Sequence, residues 1–240
     1  MNAKETPQPL SEPLDVRLAL PGAELGGFLT LPEEARGLVL FAHGSGSSRH
    51  SPRNHYVARI LQDAGLGTLL MDLLTRDEDA VDQVTRQFRF DIGLLGDRLT
   101  DAIDWLERQP KTRELTIGLF GASTGAAAAL QAAAARPDRV RAVVSRGGRP
   151  DLAGEALARV RAPTLLIVGA DDTPVIPLND AALRRMEAPA EMRLVPGASH
   201  LFEEPGTLAA ASGLARDWFL RHLPFEADSD SSSPTKVQTA

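Results

Sequence analysis

The sequence predicts an α/β fold: a mostly parallel sheet of about 7–8 strands, helices on both faces and an antiparallel hairpin at its start. Three observations carry that expectation. Short apolar runs alternate with segments of helical periodicity from about residue 14 to residue 223. Several runs are apolar without alternation, as strands covered on both faces should be. The first two strand-like segments are separated only by Pro21-Gly22-Ala23-Glu24, which reads as a hairpin turn.

The elements follow in order. Asp15–Leu20 and Gly26–Leu31 are the hairpin strands, and Gly37–Ala42 is a continuous apolar run. A polar loop, Gly44 to Arg53, leads into a helix ending near Ala64, and Gly67–Leu73 is the next strand. A helix over about Ile92–Arg108 places Leu95, Leu99, Ala102, Ile103 and Leu106 on one face. Leu115–Phe120 reads as a strand and Ala126–Ala135 as an Ala-rich helix. Val140–Ser145 and Thr164–Val168 are two more buried strands, with a short helix near Gly154–Val160 between them. Pro177–Met186 reads as helix, Glu191–Val195 as strand, and about Pro205–His222 as the last helix.

Bulk properties narrow the classes. At 240 residues the chain suits one α/β domain with a large core. Hydrophobic content of 43% and charged content of 24% are those of an ordinary globular protein. A net charge of -6 gives no electrostatic footprint for nucleic acid or an anionic membrane, so neither is expected as a partner. With no cysteine there is no disulfide, thiolate metal site or thiol nucleophile. No leader-like apolar segment or membrane-length run is visible, so the expected location is cytoplasmic. Residues 1–13 and 224–240 are expected to be flexible tails around a domain at 14–223, the second tail bearing Asp228-Ser229-Asp230-Ser231-Ser232-Ser233.

The chemistry starts at Gly121-Ala122-Ser123-Thr124-Gly125. A G-x-S-x-G pentapeptide between a strand and a helix is a nucleophile elbow, a tight turn that lifts the Ser hydroxyl above the sheet edge. A Ser hydroxyl is a weak nucleophile and needs a base, itself oriented by a third group. With this elbow the chain order is Ser, then Asp or Glu, then His. Of His43, His50, His55, His200 and His222, only the last two follow Ser123. His222 ends a helix; His200 lies in a Gly-bearing loop after a strand, where a catalytic base belongs. The acid comes from the loop after Val168, where Asp171 and Asp172 compete; Asp138 and Asp151 lie beside another strand.

An oxyanion hole needs two N–H donors aimed at the developing charge. Thr124, the residue after the nucleophile, supplies one. The loop His43-Gly44-Ser45-Gly46-Ser47-Ser48 supplies the other, from Ser45 with Gly46 in reserve. His43 and Gly46 are therefore also candidates for touching substrate. Arg146 follows a parallel strand at the edge where ligands bind. It either steers a substrate carboxylate or pairs with Asp151 or another loop carboxylate. Arg49, Arg53 and the stretch Arg86 to Arg89 read as structural or solvated.

Together the elbow, acid loop, His loop and His-Gly loop resemble the α/β-hydrolase superfamily over about residues 14–223. The stretches Phe41-Ala42-His43-Gly44-Ser45-Gly46-Ser47-Ser48-Arg49 and Ser145-Arg146-Gly147-Gly148-Arg149-Pro150-Asp151 are similar to those of its dienelactone-hydrolase-like, capless branch, some members of which are fused to phosphoribosyltransferase domains. The resemblance implies an α/β-hydrolase fold, a Ser123–His200–Asp172 triad and no cofactor or metal. It selects Asp172 because the superfamily's acid stands three residues past the glycine ending its strand. Dienelactone hydrolases use a Cys nucleophile and a Glu at the start of the oxyanion loop; this chain has Ser123 and His43-Gly44. A general carboxylesterase follows. About 16 residues join the strand ending near Arg146 to the one starting near Pro163, leaving no room for a cap domain. An open, shallow site favours small or short-acyl esters, and a monomer or homodimer is expected. A lactonase, thioesterase or acyltransferase could use the same triad, and a non-catalytic binding protein is the alternative of another class.

Overall fold

The computed structural model describes residues 12–223. The expected tails lie outside these residues but for Glu12 and Pro13. The chain runs β1 (Leu14–Leu20), β2 (Ala23–Thr30), β3 (Leu38–Ala42), α1 (Pro52–Asp63), β4 (Gly67–Met71), α2 (Arg76–Thr85), α3 (Ile92–Arg108) and β5 (Ile117–Ala122). It continues through α4 (Thr124–Ala135), β6 (Val140–Arg146), a 3₁₀ segment (Pro150–Arg159), β7 (Thr164–Gly169), α5 (Ile176–Leu183), β8 (Ala190–Val195) and α6 (Thr207–His222).

The strands form one eight-stranded sheet in the order β1-β2-β4-β3-β5-β6-β7-β8. The β1–β2 and β2–β4 pairs are antiparallel and every later pair is parallel. The predicted architecture is the observed one. Each βα crossover returns the chain to the same sheet edge, so the loops after β3, β5, β6, β7 and β8 gather at one end.

Strands β3, β4, β5 and β7 are buried at every position, which is why they read as unbroken apolar runs. Two cores flank the sheet. On one face Leu40, Leu69, Leu119 and Val143 meet Leu99 and Ile103 of α3 and Leu130 of α4. On the other Phe41, Phe120, Val144 and Ile167 meet Val57 and Leu61 of α1 and Trp218 and Phe219 of α6. Each such side chain contributes on the order of 1.5–3 kcal/mol by burial.

Several elements depart from the sequence reading. Strand β2 begins at Ala23, so the hairpin turn is Pro21-Gly22 alone, and Ala23 and Glu24 pair with Leu20 and Ala19. Helix α4 begins at Thr124, directly after Ser123, rather than at Ala126. The 3₁₀ segment begins at Pro150 and kinks at Gly154, where φ is 58°. Helix α2 was not expected at all. Only Asp82 of its ten residues is buried, so it carries no apolar stripe to read. A capping box makes it a helix: Thr75 Oγ1 accepts from Glu78 N–H, and Glu78 accepts from Thr75 N–H. Among the described residues no helix is long and apolar enough to cross a membrane.

Candidate active site

Ser123 sits between the last residue of β5 and the first of α4, at φ 51° and ψ -123°. A non-glycine residue in that region is strained and persists only where its surroundings over-determine it. They do so here. Ser123 N–H donates to Arg146 O at 3.3 Å, and Ser123 O accepts from Arg149 N–H at 3.1 Å. The end of β6 and the stretch after it therefore grip the Ser123 backbone from both sides. The flanking glycines are equally fixed. A Cβ on Gly121 would fall 2.6 Å from Gly125 O, and one on Gly125 would fall 2.5 Å from His43 O. Strand, helix and oxyanion loop approach too closely for any side chain there.

The three side chains named for the triad meet. Ser123 Oγ lies 3.3 Å from His200 Nε2, and His200 Nδ1 lies 2.7 Å from Asp172 Oδ2. An ionised Asp172 accepts from Nδ1–H, which leaves Nε2 as the acceptor for the Ser hydroxyl. Asp172 is buried while Asp171 is exposed, so the structure separates the two carboxylates the chain places side by side. His200 remains 38% exposed on its side chain, open to a ligand from above.

The loops that hold these groups are tied to one another. Asp171 N–H donates to Ala198 O at 3.0 Å, joining the acid loop to the His loop. Ser199 N–H donates to Glu204 Oε2 at 3.1 Å, closing the turn around His200. Hydrogen bonds from Ser199 hold the Glu204 carboxyl below its ordinary range. The Asn179 amide, fully buried on α5, donates to Gly148 O at 3.1 Å and Val175 O at 2.9 Å. Sequence reasoning missed Glu204 and Asn179. Asn179 reaches Gly148, 31 residues away in the chain, which only the fold brings near, while Glu204 bonds Ser199 within one loop that carries no distinctive local pattern.

The loop after β3 turns over Gly44–Ser47, closed by Ser47 N–H donating to Gly44 O at 3.2 Å with Gly46 at φ 69°. Gly44 packs against the nucleophile, since a Cβ there would lie 3.1 Å from Ser123 Cβ. Thr124 is the first residue of α4, so its N–H has no intrahelical acceptor. Ser45 is exposed within the Gly44–Ser47 turn.

Two expectations are corrected. His43, expected at the substrate, is instead buried, and both its ring nitrogens are used. Leu73 N–H donates to Nε2 at 3.1 Å, and Nδ1–H donates to Gly44 O at 2.9 Å. Burial lowers its pKa and keeps it neutral. It pins the oxyanion loop to the chain after β4. Arg146, expected to steer a carboxylate or pair with Asp151, does neither. Asp151 is taken by Arg149 through two bonds of 2.9 and 2.8 Å. Arg146 is 7% exposed, its guanidinium centre 5.9 Å from the Phe120 ring and 5.8 Å from the Phe202 ring. Its Nε and Nη1 have no partner among the described residues. Desolvation, with a smaller contribution from Arg53, pushes its pKa down to about 10. Stacked beside two rings, it makes no ion pair among the described residues.

A parallel sheet with a serine on the strained turn after a central strand, and with no domain inserted over it, is the architecture of the lidless α/β-hydrolases. The model described as "Dienelactone hydrolase family" matches residues 25–221, and the chain belongs to that family. Two Mycobacterium tuberculosis proteins, each named "Putative phosphoribosyl transferase", are 55% identical over 209 residues, 87% of this chain and 46% of theirs. The chain thus spans about half the length of the curated relatives it matches. A solved dienelactone hydrolase from Anabaena variabilis is 56% identical, with TM-score 0.86, over 88% of this chain and 99% of that one. A serine hydrolase without a lid from Xanthomonas campestris shares the fold at TM-score 0.70 and 24% identity, over 89% and 97% of the two chains.

Proposed function

We propose that the protein is a serine carboxylesterase acting on small or short-acyl esters. The observation that carries this reading is the unbroken series Ser123 Oγ–His200 Nε2–Asp172 Oδ2 at 3.3 and 2.7 Å. Ser123 Oγ attacks the ester carbonyl as His200 Nε2 takes its proton. Asp172 keeps the Nδ1–H tautomer and stabilises the imidazolium. The Thr124 and Ser45 N–H groups hold the oxyanion; Gly46 is the reserve donor. The tetrahedral intermediate collapses, the alcohol leaves with the proton from His200, and an acyl-enzyme remains. His200 then activates water to release the acid.

A lactone is the same bond closed in a ring. The 56% identity to the Anabaena variabilis dienelactone hydrolase supports lactones as further substrates. The test is hydrolysis of p-nitrophenyl acetate and butyrate by wild type and Ser123→Ala, with covalent labelling by a fluorophosphonate. Turnover and labelling that both vanish in the variant are expected. Folded wild type that shows neither sinks the reading.

A further inference from the structure

Beside the Gly44–Gly46 turn the structure holds a polar cavity of about 570 Å³. That turn is one wall; the others come from the β1–β2 hairpin, the Asp72–Thr75 loop and α2. Because Gly44 packs on Ser123, the cavity begins one residue from the nucleophile.

Most of its charges are paired. Four arginines line it against five carboxylates. Arg17 meets Glu24 at 2.7 Å, and Arg49 faces Asp72 at 3.5 Å and Asp15 at 4.0 Å. Arg89 meets Asp82 at 2.6 Å, while Arg76 and Asp79, three residues apart on α2, form no ion pair with each other. With five carboxylates against four arginines, the lining carries no net positive charge to hold an anion. What remains is hydrogen-bonding capacity of both senses, from guanidinium N–H groups, carboxylate oxygens and the hydroxyls of Ser45, Ser47 and Ser48.

Arg89 is the best-built donor in it. The Asp82 carboxylate accepts from Phe88 N–H at 2.8 Å, Arg89 N–H at 3.0 Å and Arg89 Nε–H at 2.6 Å. Arg89 Nη2 also donates to Asp82 O at 3.0 Å. Asp82 is the one buried residue of an otherwise exposed helix, so α2 is anchored through this grip. The grip leaves Nη1 beside Gly46, 3.3 Å from where a Cβ on that residue would fall. A guanidinium locked to its own carboxylate is a directional donor whose charge is neutralised.

We propose that this cavity receives the uncharged, hydroxyl-bearing part of an ester, a sugar- or polyol-like group, with Arg89 as its principal donor. The proposal rests on the esterase reading for its chemistry. Hydroxyl groups both donate and accept, so they satisfy this wall in both senses. A hydrocarbon group would strand the same polar atoms at about 1–3 kcal/mol each. An anionic group would face the surplus carboxylate.

Three esters test it: methyl glucoside acetylated at its primary hydroxyl, cyclohexylmethyl acetate as the hydrocarbon counterpart, and an acetoxyalkanoate as the anionic arm. Expected kcat/KM for the sugar ester exceeds that for the hydrocarbon ester by about tenfold or more, the yield of one or two hydrogen bonds. That ratio should collapse towards one in Arg89→Met and in Asp79→Leu. Asp79 is exposed on α2, so the second variant serves should the first fail to fold. A wild-type ratio near one, a ratio unmoved in the folded variants, or preference for the anionic ester overturns the proposal. Binding is read separately by NMR saturation transfer from Ser123→Ala protein to methyl glucoside. No transfer overturns the subsite whatever the kinetics. Transfer that is lost with Arg89→Met, without turnover of any ester, upholds the subsite and sinks the esterase reading instead.

Discussion

Asp172 Oδ2 stands 2.7 Å from His200 Nδ1, while Asp171, its neighbour in the chain, faces solvent. The turn that separates them is set by backbone bonds. Asp172 N–H donates back to Gly169 O at 3.1 Å, and Asp171 N–H reaches across to Ala198 O at 3.0 Å. Asp171 contributes its backbone to the His loop and Asp172 its side chain to the imidazole. Asp172→Asn should therefore lower kcat on the order of a thousand- to ten-thousandfold, with KM little changed. Asp171→Asn should leave kcat at the wild-type value. Steady-state hydrolysis of p-nitrophenyl acetate by the two variants checks this.

His43 makes the stability pH-dependent. Burial holds its folded pKa below the ordinary 6.5, so below that pH the unfolded chain binds a proton that the native state does not. The native state gains relative stability as pH rises towards 6.5 and loses it as pH falls from there. Urea unfolding at pH 7 and pH 5 should show a loss on acidification. The loss should be smaller in His43→Gln, where the titrating group is gone. An equal loss in both proteins would place the acid sensitivity elsewhere.

The sheet, the elbow and the Ser–Asp–His order were legible because each leaves a local mark. Buried parallel strands are apolar throughout, and the Gly121 and Gly125 positions flanking Ser123 admit no side chain. The 43% apolar content goes largely into those strands and the helices behind them. Helix α2 was not legible as a buried helix because it is hardly one, with one carboxylate and one capping box holding it. Nor could sequence separate the roles of His43 and Arg146. A His-Gly pair looks the same whether its imidazole faces substrate or pins a loop, and the difference lies in Leu73 N–H, thirty residues on. Arg146 sits at the predicted edge of the sheet, but Phe202, two residues past His200, folds over it.

The glycines can be tested as a contrasted pair. A Cβ on Gly125 would overlap the backbone of the β3 loop, and backbone cannot yield as a flexible side chain does. Gly125→Ala should destabilise by about 1–3 kcal/mol and displace the nucleophile, with loss of activity beyond the loss of fold. Gly213 lies inside α6, and a methyl group added there would meet nothing within 4 Å. Gly213→Ala should stabilise by about 0.5–1 kcal/mol through helix propensity and the unfolded-state entropy. Thermal and urea unfolding of the two variants decide both signs.

Arg146 is a cation held in the core with no carboxylate against it among the described residues, stacked against Phe120 and Phe202. Two energies of opposite sign act on it. The rings attract the guanidinium, by about 2 kcal/mol or more where the pair is desolvated. Desolvation costs several kcal/mol for an ion without a partner. The pKa, pushed down to about 10, gives the direction of the balance: the site disfavours the charged form. Arg146→Met keeps much of the stacked volume and removes the charge. It should match or exceed wild-type stability at pH 7, by about 1 kcal/mol or more. Its activity should fall only as far as the His loop loosens through Phe202, so kcat carries any loss and KM does not. A variant that instead unfolds several kcal/mol more easily would show that the two ring contacts outweigh desolvation. The strained Phe202, at φ 57°, would then be held in place chiefly by this guanidinium.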